Sequence, residues 1–306
     1  MREKFGLRTV LIPLFAVIGF FTIQIMVSVA YMAVIMFIKA FSSTGFNPNQ
    51  INEITDLLMK SMNNISGIYS VVVAGIALVV IRILLKSNPN AIRTERVSIL
   101  EGAASGVVMI GIAGVITLLM AGIVALGEFV PAINNAMNNY IELSKGFIGS
   151  GNIPIVILTT CILVPIAEDL VFRGIIQGEL RRVMPGWTAV VIQAVIFALV
   201  HGNLIQISYV ILPAIILGAL YEWSKSIYVP IFLHMLFNFT GAAVPLMLEG
   251  NANAGQIFVL FEFSIIPLMI IALIFLYKRR KKDPLVIPSE SDIETLPVPT
   301  GHDSRI

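Results

Sequence analysis

Apolar residues dominate eight stretches of the chain, and polar residues lie mainly in the segments between them. A helix needs roughly 20 apolar residues to cross a bilayer. The pattern therefore predicts an all-α fold, a polytopic membrane helix bundle with about eight transmembrane helices. The expected helices are 9–39, 65–85, 104–127, 153–172, 187–203, 205–223, 227–248 and 256–277.

The fifth and sixth stretches have two interpretations. They are separated only by His201-Gly202-Asn203, and the fifth is short for a transmembrane helix. The alternative to two spans is a broken or re-entrant helix, which membranes tolerate only where the freed backbone groups are buried in protein. Both arrangements remain open from the sequence.

Lysine and arginine are distributed unequally between the two sides that eight crossings define. The opposite side receives only Lys60 and Lys145, with Lys39 at a boundary. Cytoplasmic loops carry the excess of Lys and Arg, so both termini are predicted to be cytoplasmic. The basic residues on the predicted cytoplasmic side are Arg2, Lys4, Arg8, Arg82, Lys86, Arg93, Arg96, Arg173, Arg181, Arg182, Lys225 and the run 278–282.

The composition is that of an integral, multi-pass membrane protein. Of the 306 residues, 57% are hydrophobic and 12% are charged, whereas a soluble domain has about 25% charged residues. The first apolar stretch is too long for a removable signal peptide. The single cysteine, Cys161, excludes an intrachain disulfide.

We divide the chain into four parts. Residues 1–150 are expected to hold about three N-terminal membrane helices, and residues 151–250 a core that carries the chemistry. Residues 251–282 are expected to form the last transmembrane helix with a basic anchor, and residues 283–306 a disordered cytoplasmic tail. Small residues within 106–115 predict close helix packing.

The first polar element in an apolar surrounding is AEDLVFRG, residues 167–174. On a helix, Asp169 and Arg173 are four residues apart and can pair on one face. Glu168 points about 100° away and needs a partner from another helix. Pro165 lacks the N–H that would bond the carbonyl of residue 161, so it is expected to kink the helix. The structural alternative is a helix end whose charges meet water and headgroups.

Two histidines form the other polar elements. His201 and His234 lie in segments, 187–221 and 226–248, that contain no Asp, Glu, Lys or Arg. Asn238 follows His234 by four residues, so the two side chains face the same way. Ionisable groups within membrane spans are functional candidates, although such groups also serve as interhelical hydrogen-bond partners.

Together these residues have the chemistry needed for hydrolysis. Glu168 is a candidate to accept a proton from water, and His201 to orient that water or shuttle the proton. His234 and Asn238 are candidate hydrogen-bond donors to an oxyanion, worth about 3–4 kcal/mol per donor in a dry site. The predicted spans place His201 near the outer end of its helix, so convergence requires the fifth span to be broken, tilted or re-entrant.

The three elements resemble the motifs of the CAAX-processing and bacteriocin-immunity (CPBP, or abortive infection) family of intramembrane proteases. This family includes the type II CAAX prenyl endopeptidases. Its motifs are two acidic residues followed after three residues by Arg, then Phe-x3-His, then His-x3-Asn or Asp. In this chain they correspond to Glu168-Asp169 with Arg173, Phe197 with His201, and His234 with Asn238.

The resemblance covers roughly residues 150–250 and implies an intramembrane endopeptidase in which Glu168 activates water. Asp169 and Arg173 would then support the site structurally. One position departs from the family, because Asp169 stands where the second acidic residue is normally Glu. Some family members are thought to be scaffolds, and this departure leaves that alternative open.

The need for a metal is not decided by the sequence. Glu168, His201 and His234 are a possible zinc ligand set, and the family is often called a metalloprotease family. However, HExxH is absent from the sequence, and a metal-free water activated by Glu168 and His201 fits the resemblance slightly better.

The expected partners are membrane lipid and a peptide or membrane-protein substrate, lipid-modified or not, and no nucleic acid. Two alternatives to a peptidase remain. One is a proton-coupled transporter that uses the polar groups as a relay, and the other is a noncatalytic scaffold or bacteriocin-immunity membrane protein.

Overall fold

The computed structural model describes residues 3–42, 50–87, 89, 91–148 and 152–281. Within these residues the structure is helical and contains no strand; Thr94 and Ser226 form an isolated antiparallel bridge. The tail 283–306, expected to be disordered, lies outside the described residues. The predicted all-α class is confirmed.

The described part of the chain forms nine helices, numbered here in chain order. They are α1 Leu7–Ser42, α2 Gln50–Ser87, α3 Ile99–Gly127, α4 Pro131–Ile148, α5 Ile153–Val183, α6 Gly186–Leu199, α7 Leu204–Ser224, α8 Tyr228–Met247 and α9 Ala252–Arg279. Seven of these are long and apolar enough to cross a membrane. The two exceptions are the polar helix α4 and the short helix α6.

The fifth apolar stretch is the one that forms the short helix. Helix α6 has 14 residues, which corresponds to about 21 Å and is less than the roughly 30 Å of a hydrocarbon core. The chain reverses at Gly202, which has φ 69°. Asn203 then caps α7 by accepting from the backbone N–H groups of Ile205 and Gln206. Helices α6 and α7 therefore form a helical hairpin with its turn at His201-Gly202-Asn203.

Helix α5 widens on both sides of the acidic pair. Ile157–Leu163 and Leu170–Gln177 are π-helical, and the α-helical turn between them carries Glu168 and Asp169. Before Pro165, the backbone N–H of Val164 bonds the carbonyl of Thr159, five residues earlier. The chain therefore accommodates Pro165 at a change of helical register, a feature that often marks functional sites.

Ion pairs hold one end of the bundle together. Two of these pairs connect α5 with the N-terminal part of the chain, namely Arg8 with Glu179 at 3.1 Å and Arg182 with Glu3. A third connects α9 with α3, namely Arg279 with Glu101 at 3.3 Å. Lys281 pairs with Glu95 at 2.9 Å. Glu222 is bonded by Arg181 at 2.9 Å and by Arg93 at 3.1 Å. This end, here called the basic end, therefore carries both ends of the described chain; which side of a membrane it faces stays a prediction.

Helices α3 and α9 approach each other closely through glycine. A Cβ atom at Gly111 would lie 2.5 Å from Cβ of Met269, and one at Gly114 would lie 2.8 Å from the backbone oxygen of Glu262. The buried Glu262 side chain accepts a 3.0 Å hydrogen bond from Thr117 of α3. The close packing predicted from the small residues is confirmed.

Candidate active site

The structure brings Glu168 and His201 to a similar depth in the bundle. Glu168 lies 15 residues before the end of α5 at Val183, and His201 lies 15 residues after the start of α6 at Gly186. A chain of contacts links the two residues, because Glu168 lies 3.6 Å from His234, and the rings of His234 and His201 both contact Phe197. The sequence placed them toward opposite sides because the apolar stretch of α5 ends at residue 172, whereas the helix continues to Val183.

Asp169 is fully buried and uses its two carboxylate oxygens on two different partners. Oδ1 lies 2.7 Å from Nη1 of Arg173, one turn along α5. Oδ2 lies 3.2 Å from Nδ1 of His234 on α8. The pair within the helix was expected from the four-residue spacing. The bond to His234 was not, since no spacing in the sequence relates α5 to α8.

Glu168 finds its partner on α8. Its Oε2 lies 3.6 Å from Nε2 of His234, which is an ion-pairing distance rather than a direct hydrogen bond. The Glu168 side chain keeps 12% of its surface exposed, whereas that of Asp169 keeps none. Tyr69 of α2 lies within electrostatic reach of the Glu168 carboxylate. Glu168, His234, Asp169 and Arg173 thus form one connected row.

Phe197 lies at the centre of this arrangement. The Arg173 guanidinium lies 4.5 Å from the centre of its ring, in cation–π geometry. The rings of His201 and His234 contact Phe197 edge-on, with centroids 4.9 Å and 5.9 Å away. Phe197 therefore contacts both histidines and Arg173, and the sequence indicated none of these contacts beyond the place of Phe197 in the second motif.

The tautomer of His201 follows from its hydrogen bond. Nδ1 lies 2.7 Å from the backbone oxygen of Phe197. A carbonyl oxygen only accepts, so Nδ1 carries a proton and Nε2 of the neutral ring is left as an acceptor. His201 is half-buried at the hairpin turn, and in the described residues neither of its nitrogens pairs with Glu168. His201 therefore approaches the row through Phe197 rather than by direct contact.

Asn238 is bonded to the backbone of α5. Its Nδ2 donates to the carbonyl oxygen of Thr160 at 2.9 Å. In π-helical register this carbonyl would accept from the N–H of residue 165, but Pro165 has none. The Asn238 amide takes the place of the missing donor. One of its two N–H protons is thereby committed, and the other is left for a ligand.

Helix α2 contributes a polar contact on the same side. Oγ1 of Thr160 donates to Oδ1 of the buried Asn63 at 3.3 Å. Asn63 lies just before the predicted span 65–85 and belongs to no motif, so the sequence did not indicate it. The site therefore draws on four helices, α2, α5, α6 and α8.

The side chains do not fit the suggested zinc site. In the part of the chain that the structure describes, no group of three or more His, Cys, Asp or Glu side chains is arranged to hold a metal ion. The nitrogens of His234 face the carboxylates of Asp169 and Glu168. His201 is turned to the carbonyl of Phe197. A metalloprotease site is accordingly not supported, and no step is assigned to a metal.

Fold and site together define an all-α, multi-pass membrane protein with carboxylates and histidines buried inside the bundle. The sequence model of the family described as type II CAAX prenyl endopeptidase Rce1-like matches residues 150–240, less than half of the chain. This segment contains all three motifs, so the family resemblance predicted from them is confirmed.

Two curated relatives are similar to the chain. The protein named "Putative membrane peptidase YdiL" of Bacillus subtilis is 29% identical over 188 residues, which are 58% of this chain and 72% of that protein. The "Membrane-embedded CAAX protease MroQ" of Staphylococcus aureus is 36% identical over 92 residues, which are 28% of this chain and 37% of that protein. No solved structure matches the chain significantly. At the level of the family, these matches support a membrane peptidase.

Proposed function

We propose that this protein is an intramembrane endopeptidase that hydrolyses a peptide bond with a water molecule activated by Glu168. The observation that carries the proposal is the buried row Glu168–His234–Asp169–Arg173, whose successive contacts measure 3.6, 3.2 and 2.7 Å. A buried row of alternating carboxylates and potential cations needs an explanation, because isolated charges are costly within a bilayer. The Rce1-like match over the same residues supports a peptidase.

In the proposed reaction, the Glu168 carboxylate removes a proton from water, and the resulting hydroxide oxygen attacks the carbonyl carbon of the substrate. The C–O bond forms as the carbonyl π electrons move onto oxygen. The tetrahedral oxyanion then collapses and the C–N bond breaks. Glu168 returns its proton to the leaving nitrogen, and the products are a carboxylic acid and an amine.

His234 and Asn238 are the proposed donors to the oxyanion. Asp169 accepts from Nδ1 of His234, so donation from Nε2 requires the imidazolium. The carboxylates of Glu168 and Asp169 balance the charges of this imidazolium and of Arg173. Asn238 offers its second amide proton, since the first is bonded to Thr160. Donors held in this way need no reorganisation when the charge develops on the oxyanion.

His201 is the proposed second base. Its acceptor Nε2 is suited to orient the attacking water or to carry its proton, since Nδ1 is held by the carbonyl of Phe197. The short helix α6 ends just before it and places it at the hairpin turn, where Gly202 is exposed. This turn is the proposed point at which water and substrate enter.

The proposed substrate class is a peptide or membrane protein that presents an extended segment within the bilayer. The names of the family and of the Staphylococcus aureus relative refer to CAAX substrates, which makes a lipid-modified C-terminal peptide the first probe. Membrane lipid is the proposed surrounding partner.

The test uses the purified protein in liposomes with three probes. These are a farnesylated peptide ending in a CAAX sequence, the same peptide without the lipid, and a single-span membrane peptide. Mass spectrometry of the products is expected to show cleavage of at least one probe by the wild type and none by Glu168→Gln. A chelator is expected to leave the rate unchanged.

Cleavage by both proteins would refute the role of Glu168. A wild type that binds a probe without cleaving it would favour the noncatalytic scaffold. Proton flux without any cleavage would favour the transporter.

A further inference from the structure

The buried residue Asn63 of α2 has no role in the reaction proposed above. It keeps 2% of its surface exposed, and it lies outside the segment 150–240 that the family model matches. Burying an amide is costly unless it is hydrogen-bonded. The bond that Asn63 makes, from Oγ1 of Thr160 to its Oδ1 at 3.3 Å, leads to the residue that holds Asn238.

Helix α2 meets α5 through two positions that lie one turn apart on the same face. Asn63 accepts from Thr160, and Gly67 faces the neighbouring Thr159. A Cβ atom at position 67 would lie 2.7 Å from Cγ2 of Thr159. The missing side chain of Gly67 therefore allows α2 to approach α5 closely enough for the Asn63 amide to reach the Thr160 hydroxyl.

Thr160 is bonded by side chains from two other helices. It lies in the π-helical segment Ile157–Leu163, and its carbonyl has no backbone donor because Pro165 lacks an N–H. Nδ2 of Asn238 on α8 donates to that carbonyl at 2.9 Å, while the Thr160 hydroxyl donates to Asn63 on α2. One residue thus connects Asn63 to Asn238 across α5.

We propose that Asn63 is a positioning residue for Asn238 and acts through Thr160, an inference that rests on the peptidase function proposed above. Asn63 holds the Thr160 side chain against α2, so the Thr160 carbonyl stays where Asn238 bonds it. The second N–H of Asn238 is then directed at the oxyanion. A donor stabilises the oxyanion only within about 2.7–3.1 Å, so a displaced Thr160 weakens this contact.

The first test is the effect of Asn63→Leu on kcat and KM for a cleavable probe in liposomes. We expect kcat to fall about tenfold, which is less than the cost of removing an oxyanion donor outright. Because the oxyanion forms only in the transition state, KM is expected to change by less than about threefold. Asn64→Leu, at the neighbouring exposed position of α2, is the matched control and is expected to keep the wild-type kcat.

Thr160 variants show whether the effect passes through its hydroxyl. Thr160→Val removes the hydroxyl and keeps the backbone carbonyl, so it is expected to match Asn63→Leu. Thr160→Ser restores the hydroxyl and is expected to recover most of the rate. The double variant Asn63→Leu/Thr160→Val is expected to be no slower than either single variant. Undiminished kcat in Asn63→Leu and Thr160→Val, or a loss that multiplies in the double variant, would overturn the inference.

The second test needs no substrate and uses the Tm of Asn63→Leu, Asn238→Ala and the double variant in detergent. If Thr160 links the two residues, the double variant loses less than the sum of the single losses, by about 2 °C or more. Additive losses in a protein that cleaves a probe would overturn the link alone. Coupled losses in a protein that cleaves no probe would refute the peptidase while they support the link.

Discussion

At the scale of single residues, the carboxylate of Asp169 explains how the site tolerates its departure from the family pattern. Both oxygens are occupied, one by Arg173 and one by His234. The shorter side chain still reaches a partner on its own helix and a partner on α8. Both carboxylate oxygens of Asp169 therefore have a partner without the additional methylene of a glutamate.

Replacing Asp169 by alanine is expected to destabilise the protein strongly. The change leaves Arg173 as a fully buried charge without its carboxylate, and breaking a buried pair in this way costs about 3–5 kcal/mol. Denaturant unfolding in detergent measures the loss. Glu142→Ala is the control, because Glu142 pairs with Lys145 at an exposed position where a pair contributes about 0–1 kcal/mol. Equal stability of the two variants would show that the buried pair contributes little.

The sequence predicted some of these contacts and not others for a physical reason. The Asp169–Arg173 pair follows from helical periodicity, which is local and visible in the spacing. The bond from Asp169 to His234 and the contacts of Phe197 depend on how α5, α6 and α8 pack. No property of the individual segments encodes that packing.

At the scale of helices, the change of register at Pro165 connects backbone geometry to Asn238. The π-helical segment before Pro165 frees the carbonyl of Thr160, and the Asn238 side chain bonds it. The position of Asn238 beside the site is thus set by a missing backbone donor in another helix. The sequence indicated that Pro165 would interrupt the backbone hydrogen bonds of its helix. It did not show which side chain would bond the carbonyl left without a donor.

Pro165→Ala is therefore expected to lower the cleavage rate without lowering the stability of the protein. Alanine restores an N–H that competes with Asn238 for the Thr160 carbonyl, and it removes a proline that costs about 3 kcal/mol in a helix interior. We expect unchanged or higher stability, and a cleavage rate lower by about tenfold, within the cost of losing an oxyanion donor.

Pro267→Ala serves as the control for this variant, because Pro267 lies at an exposed position inside α9. It is expected to gain stability without losing activity. Full activity of Pro165→Ala would show that the bond from Asn238 to Thr160 does not support the reaction.

The close packing of α3 against α9 leads to a prediction about the stability of two glycine variants. Gly114→Ala places a Cβ atom 2.8 Å from the backbone oxygen of Glu262, so the helices must move apart at a cost of about 1–3 kcal/mol. Gly122→Ala, also in α3, meets nothing within 4 Å and is expected to be neutral or slightly stabilising. Thermal unfolding of the two variants side by side provides the measurement, and the reverse order would contradict the close approach.

At the scale of the whole molecule, the ion pairs of the basic end explain where hydropathy misplaced a helix boundary. Helix α5 continues beyond residue 172 through Gln177, Glu179 and Arg181, which are polar but buried. Glu222 and Arg8 pair with this part of the helix. The apolar pattern predicted eight spans, and seven helices of the described chain are long and apolar enough to cross a membrane. The agreement is close because a helix surrounded by lipid requires apolar residues. It did not give the end of α5, since that end is buried against charged partners.

Cysteine labelling tests the predicted orientation. Cys161 is buried and is the only cysteine, so Cys161→Ser provides a cysteine-free background. Single cysteines at Lys4 and Lys281 are expected to react with an impermeant maleimide from the cytoplasmic side. A cysteine at the exposed Asn135 of α4 is expected to react from the opposite side. If cysteines at positions 4 and 281 were labelled from different sides, the result would contradict the placement of both positions at the basic end of the bundle.

The most direct test of the central claim follows the oxygen of water into the product. The wild type, in liposomes with a cleavable probe in ¹⁸O-water, is expected to place ¹⁸O in the new carboxyl terminus. Cys161→Ser is expected to do the same at a similar rate, while Glu168→Gln falls by about 10²–10⁴-fold, the contribution of a positioned general base. Undiminished ¹⁸O incorporation by Glu168→Gln would contradict the account and exclude Glu168 as the residue that activates water.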